Sequence, residues 1–109
     1  MEETSPFKLA KDISAHVARL VSGLDIDSLP LNVRETVMTL KAQATDIRLD
    51  VRDYGMAETR EDQQRLAKEA VERLESIQAT ILKASEYNLL SAADVAQLSA
   101  QLQQLITVL

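Results

Sequence analysis

Residues 33–54, VRETVMTLKAQATDIRLDVRDY, decide the fold of this chain. Apolar side chains recur in this stretch at alternating steps of four and three residues, over about three heptads. They are Val33, Val37, Leu40, Ala44, Ile47, Val51 and Tyr54. This spacing places all of them on one face of an α-helix, whereas a half-buried strand would alternate at every second residue. We therefore predict a long amphipathic helix over residues 31–54, ended by Gly55.

Apolar residues recur with helical spacing in three further segments. They are Ala10, Ile13, Val17, Leu20 and Leu24 in the first, Ala67, Ala70, Leu74, Ile77, Ile81 and Ala84 in the second, and Val95, Leu98, Leu102, Leu105 and Leu109 in the last. Ser5 and Pro6 are typical of a helix start, and we expect Gly23 to end that helix in a left-handed conformation. None of these segments has the alternation of a β-strand.

Capping residues predict the ends of the last two helices. Thr59, with Asp62 three residues later, resembles a capping box at the start of the third helix. Asn88 is the expected C-cap of that helix, because asparagine tolerates a left-handed backbone. Ser91 and Asp94 repeat the box-like pattern at the start of the fourth helix.

Short connections predict that consecutive helices lie side by side and antiparallel. The expected fold is all-α, an up-down-up-down four-helix bundle with long central helices, formed as one domain by residues 1–109. An alternative is a hairpin of the second and third helices whose bundle is completed by a second chain. The residues expected at the centre of the core are Leu40, Ile47, Leu74, Ile77, Leu98 and Leu102.

Composition limits the classes of partner. The net charge of −5 argues against nucleic acid, because phosphate binding depends on clustered lysine and arginine. The chain has no cysteine, which excludes disulfides and thiolate metal sites. No basic segment followed by an apolar run begins the sequence, and no apolar run approaches the roughly 20 residues of a membrane span. We expect a cytoplasmic protein without a signal peptide and without a membrane partner.

Few residues suggest catalysis or metal binding. The one histidine, His16, follows Asp12 by four residues, which is a metal-ligand spacing on a helix. A polar residue at the border of the core stripe explains it better. Asp25 and Asp27 lack the glycine and the distal glutamate of a calcium loop, so a turn is the expected structure there. Because no nucleophile motif and no phosphate-binding loop is present, we expect no catalytic site, no metal, no cofactor and no small-molecule substrate.

The predicted second helix has a second apolar face, nearly opposite the first at about 100° per residue. This outer apolar row consists of Leu31, Met38, Ala42, Thr45, Leu49 and Met56. A basic row of Arg34, Lys41, Arg48 and Arg52 borders it on one side, and an acidic row of Glu35, Asp46 and Asp53 on the other. The outward face of a monomeric bundle helix should be polar. We interpret the outer apolar row as a contact face, with scattered surface apolar residues as the alternative.

The predicted last helix is almost free of charge. Residues 91–109, SAADVAQLSAQLQQLITVL, contain the single charged residue Asp94. Interface cores are depleted of charge, so Gln97, Gln101 and Gln104 are candidate interface residues on this helix. An ordinary polar outer face is the alternative.

These features lead to three hypotheses about function. The first is a non-enzymatic helical interaction module that binds proteins and self-associates, most simply as a homodimer. In that dimer, antiparallel crossing of the second helix is expected to bring the basic row of one copy to the acidic row of the other. The second hypothesis is a regulator or chaperone that masks a hydrophobic helix of a partner. The least favoured is a metal-binding or enzymatic bundle centred on Asp12 and His16.

Overall fold

The computed structural model describes residues 5–109, and this part of the chain is helical. Its helices are α1 (Pro6–Ser22), α2 (Leu31–Met56), α3 (Arg60–Glu86) and α4 (Ala92–Val108). A single 3₁₀ turn, Ile26–Ser28, lies in the connection between α1 and α2. No β-strand occurs within the described residues. The all-helical prediction is confirmed.

Each helix packs against two neighbours. α1 contacts α2 and α4, and α3 contacts the same two helices, so one chain supplies a complete four-helix bundle. The core is one continuous cluster of aliphatic side chains from all four helices. The six residues predicted at its centre are all buried: Leu40, Ile47, Leu74, Ile77, Leu98 and Leu102.

The central helices are longer than the outer two. α2 and α3 have 26 and 27 residues, whereas α1 and α4 have 17 each. At a rise of about 1.5 Å per residue, the central pair exceeds the outer pair by roughly 14 Å. The first buried residue of α3 is Ala70, well after the helix begins at Arg60. The tip of the α2–α3 hairpin therefore projects beyond α1 and α4.

Side-chain caps begin three of the helices as expected. The hydroxyl of Ser5 accepts from the backbone N–H of Lys8 at 3.1 Å, which caps α1. Thr59 accepts from the N–H of Asp62 at 3.1 Å at the start of α3. At the start of α4, Ser91 accepts from the N–H of Asp94 at 3.0 Å and donates to its carboxylate at 2.9 Å. These contacts satisfy backbone donors that a helix start leaves unpaired.

Asn88 reverses the chain after α3. Its φ of 60° lies in the left-handed region. The N–H of Leu89 donates to the carbonyl of Ala84 at 3.1 Å, and the N–H of Asn88 donates to that of Ser85 at 2.9 Å. This pair of bonds is the Schellman motif, with asparagine in the position that glycine usually occupies. The prediction that Asn88 ends α3 is confirmed.

Gly23 ends α1 as predicted, but the left-handed conformation expected of it is wrong, and so is the prediction that Gly55 ends α2. Gly23 follows α1 with φ −82° and ψ −4°, which is right-handed, and its N–H donates to carbonyls of the last turn. Gly55 does not end α2, which continues to Met56. Both connections reverse the chain without a left-handed residue: the N–H of Gly23 bonds to carbonyls in the last turn of α1, and the N–H of Ala57 bonds to the carbonyl of Tyr54 at the end of α2.

Candidate protein-binding surface

The outer apolar row lies along the solvent-facing side of α2. Its four large side chains are the exposed Leu31 (67%), Met38 (51%), Leu49 (44%) and Met56 (71%). Ala42 and Thr45 are also exposed and lie between them. The opposite face of the same helix is buried through Val37, Leu40 and Ile47. The two-faced character predicted for this helix is therefore present in the structure.

Two shallow grooves follow this row and share Met38. One has a volume of about 470 Å³ and is lined by Leu31, Arg34, Glu35, Met38 and Thr39. The other, of about 330 Å³, is lined by Met38, Lys41, Ala42, Thr45 and Asp46. Both are open surface depressions along a single helix. Their shape suits the side chains of a packed helix better than an enclosed small molecule.

The residues of the basic row differ in whether they contact other groups of the chain. Arg34 donates from Nη2 to the carbonyl of Leu29 at 3.1 Å, which holds it against the α1–α2 connection. Its Nε is buried and has no hydrogen-bond partner among the described residues. Lys41 and Arg48 are exposed and form no ion pair within residues 5–109.

The acidic row is partly engaged within the chain. Nε of Arg73 on α3 donates to Asp50 at 2.6 Å, and its Nη1 lies 3.4 Å from Asp46. The hydrogen bond to Asp50 raises the pKa of Arg73 above its ordinary value. Burial lowers this pKa, whereas the negative charges of Asp50 and Asp46 raise it further. Asp53 pairs with its exposed neighbour Arg52 at 3.4 Å. The arginine of α3 thus ties one edge of the row to the bundle.

On α4 the three candidate glutamines separate into two groups. Gln97 and Gln104 are exposed, as expected for an outer face. Gln101 is half-buried, and its Oε1 lies 2.9 Å from Nδ1 of His16 on α1. Gln101 therefore differs from the other two candidates, because its amide contacts a buried group inside the bundle.

His16 is not a border residue, because its side chain is buried between α1 and α4 at 4% exposure. Nε2 of its ring lies 3.7 Å from Oδ1 of Asp94, whose position is fixed by the cap of α4. Asp12 instead pairs with Lys8 at 3.5 Å on the surface. His16 follows the buried Ile13 by three residues, and this spacing is the sequence signal that could have placed it in the core.

Neither a metal cluster nor a membrane span is found in the part of the chain that the structure describes. Among residues 5–109, no three histidine, aspartate or glutamate side chains lie together as a metal site would require. In the same range, no helix combines the length and the hydropathy needed to cross a bilayer. Comparison with protein-family models, with curated proteins and with solved structures finds no match for this chain.

Proposed function

We propose that this protein is a helical interaction module that acts by binding proteins and that associates with itself as a homodimer. The observation that carries the proposal is the exposure of the outer apolar row. Leu31, Met38, Leu49 and Met56 lie on one side of one helix, at heptad-like spacing. Single exposed apolar side chains are common, but four large ones aligned with Ala42 and Thr45 on one helix face are typical of a contact surface.

The energetics favour burial of this row. Fully burying a leucine or methionine side chain is worth about 1.5–3 kcal/mol. A two-fold dimer uses the same patch twice, so every residue of the row contributes from both copies. This gain offsets the several kcal/mol that association costs in lost translational and rotational freedom, and the surplus is the affinity.

α2 is a better contact helix than α4. The exposed candidates on α4 are Gln97 and Gln104, which offer little apolar area, and Gln101 is engaged with His16. On α2 the flexible thioethers of Met38 and Met56 can adapt to the surface of a partner. We therefore assign the homodimer contact to the outer apolar row of α2.

The test is the mass of the protein in solution. Light scattering at micromolar concentration should give twice the chain mass. Met38→Glu combined with Leu49→Glu should reduce it to one chain, because each dimer would bury four carboxylates. The matched control is Gln97→Glu with Gln104→Glu, which adds the same charge to the exposed face of α4 and should leave the dimer intact. A wild-type protein that stays monomeric at high concentration would overturn self-association.

The two grooves beside Met38 favour one second candidate. A regulator or chaperone of this shape would receive an amphipathic helix of another protein on the same surface. It would be monomeric when isolated and would gain thermal stability when that helix binds. The light-scattering experiment separates the two functions, since only the first predicts a dimer without an added partner.

A further inference from the structure

We infer that two copies of α2 pack parallel and in register, so that the basic row of each copy lies along the acidic row of the other. This inference rests on the proposed self-association and adds the orientation of its contact. It commits the outer apolar row to one occupant, the same row of a second copy. The order of charges on both sides of that row favours this orientation.

Symmetry decides which rows meet. A two-fold axis parallel to the helices brings the left edge of one helix against the right edge of the other. A two-fold axis perpendicular to them brings each edge against its own copy. Flanking charges of this kind set the orientation of paired helices. The basic and acidic rows lie on opposite edges of the outer apolar row, so only the parallel arrangement brings opposite charges together.

In the parallel arrangement each residue lies level with itself, and the apolar positions meet as Leu31 with Leu31 and Leu49 with Leu49. Arg34 is then one residue, about 1.5 Å of helix rise, from the level of Glu35 of the second copy. Arg48 is two residues, about 3 Å, from the level of Asp46 of the second copy. By symmetry each of these charge pairs occurs twice.

The antiparallel arrangement brings like charges together. If the two helices cross at the middle of the row, between residues 43 and 44, Lys41 is level to within about 3 Å with Arg48 of the second copy. Glu35 comes to within about 1.5 Å of the level of Asp53 of the second copy. The sequence-based expectation that antiparallel crossing pairs the basic row with the acidic row is therefore wrong, because a perpendicular two-fold axis keeps each row on its own side.

Glu35 has a carboxylate that the bundle does not engage. It is exposed and forms no ion pair within residues 5–109. In the parallel dimer it lies near the level of Arg34 of the second copy, whose Nη2 also donates to the carbonyl of Leu29.

Two ion pairs within the chain border the proposed contact and are compatible with it. Arg73 approaches Asp46 through Oδ2 alone, at 3.4 Å, and the side chain of Asp46 remains 47% exposed. The pair of Arg52 with Asp53 is at the surface, with both side chains more than half exposed. Each carboxylate therefore keeps an accessible oxygen for a cation of the second copy.

Single introduced cysteines test the orientation, because the wild-type chain has none. In the parallel dimer Met38→Cys and Leu49→Cys should each form a disulfide with its own copy under mild oxidation. In the antiparallel dimer each of these two cysteines is displaced from the same cysteine of the second copy by eleven residues, roughly 16 Å along the axis. This distance exceeds the span of a disulfide. Thr45→Cys lies near the middle of the row and should form a disulfide in both orientations. Ala79→Cys, exposed on α3, controls for random collision.

We expect Met38→Cys and Leu49→Cys to cross-link at least about tenfold faster than Ala79→Cys, because a bound copy raises the local thiol concentration. Disulfide dimers are scored on non-reducing gels, with light scattering on the same reduced samples. If Thr45→Cys cross-links but the other two do so only when mixed together, the dimer is antiparallel and the inference is overturned. Dimeric mass without cross-linking at any of the three positions overturns it too, while self-association stands. Monomeric mass in the wild type removes the proposed function itself.

Discussion

Nδ1 of His16 and Oε1 of Gln101 lie 2.9 Å apart, a polar contact between α1 and α4 beside the aliphatic core. The distance fits a ring N–H that donates to the amide carbonyl. Two helices that are distant in sequence are thereby fixed relative to one another. The contact also explains why one of the three candidate glutamines of α4 points into the bundle.

We expect His16→Ala to reduce the free energy of unfolding by about 2–3 kcal/mol, because it removes a buried ring and leaves the amide without its partner. Gln101→Ala should cost about 1–2 kcal/mol, since it leaves Nδ1 buried and unpaired. Urea titration of both single variants and the double variant gives the coupling, expected near 1 kcal/mol. Gln97→Ala, exposed on the same helix, is the control. Strictly additive losses would contradict a direct contact.

The bundle could be predicted from the sequence because the spacing of apolar residues determines which face of each helix is buried. The heptads of α2 and α3 place Ile47, Leu74 and Ile77 at the centre, and each of them is inaccessible to solvent. The capping pattern at Thr59 also predicted the N-cap of α3 at the correct residue. Such features depend on the local chain alone, which is why they can be predicted without a structure.

Features that depend on a second helix were not predicted. The burial of His16 requires Gln101, which lies 85 positions further along the chain. Gly55 remains helical because the chain turns towards α3 only at residues 57–59, where Ala57 and Thr59 have extended backbones. The exposure of the outer apolar row could be predicted because it depends on one helix, whereas the pairing of its charged edges depends on the symmetry of two copies.

Substitutions at the centre of the core should be costly. Ile47→Ala and Leu74→Ala are each expected to reduce the free energy of unfolding by about 2–5 kcal/mol, because both side chains are fully buried and their removal leaves cavities. Denaturant unfolding measures the loss. The control is Leu82→Ala on α3, whose side chain is 51% exposed and which should change stability by less than about 1 kcal/mol. Similar small losses at all three positions would contradict the register of α2 and α3.

Gly55→Ala should stabilise the protein. The residue lies in the last turn of α2 and its φ is not positive. A Cβ built there meets no atom within 4 Å. Alanine restricts the unfolded chain and favours helix, so we expect a gain of about 0.5 kcal/mol in the free energy of unfolding. Asn88→Ala is the opposite case, because its left-handed φ of 60° strains a residue with a Cβ, and it should destabilise. A destabilised Gly55→Ala variant would mean that α2 ends before this residue.

Reversal of one charge tests the packing of α2 without a cross-link. In the parallel dimer Arg48 lies near the level of Asp46 of the second copy, so Arg48→Glu places two carboxylates together on each side of the dimer axis. The dimer contains two such pairs, and the loss of each weakens association by about 0.5 kcal/mol. The dimer Kd should therefore rise roughly fivefold.

The matched control is Lys68→Glu, which makes the same change in net charge at an exposed site on α3. Sedimentation equilibrium at moderate salt measures both constants, and the difference between the variants should shrink at high salt because exposed charges are screened. An antiparallel dimer predicts the opposite sign, since Arg48 would then lie near Lys41 of the second copy and its reversal would replace repulsion by attraction. Tighter association of Arg48→Glu, or an effect equal to that of Lys68→Glu, would therefore contradict the parallel packing.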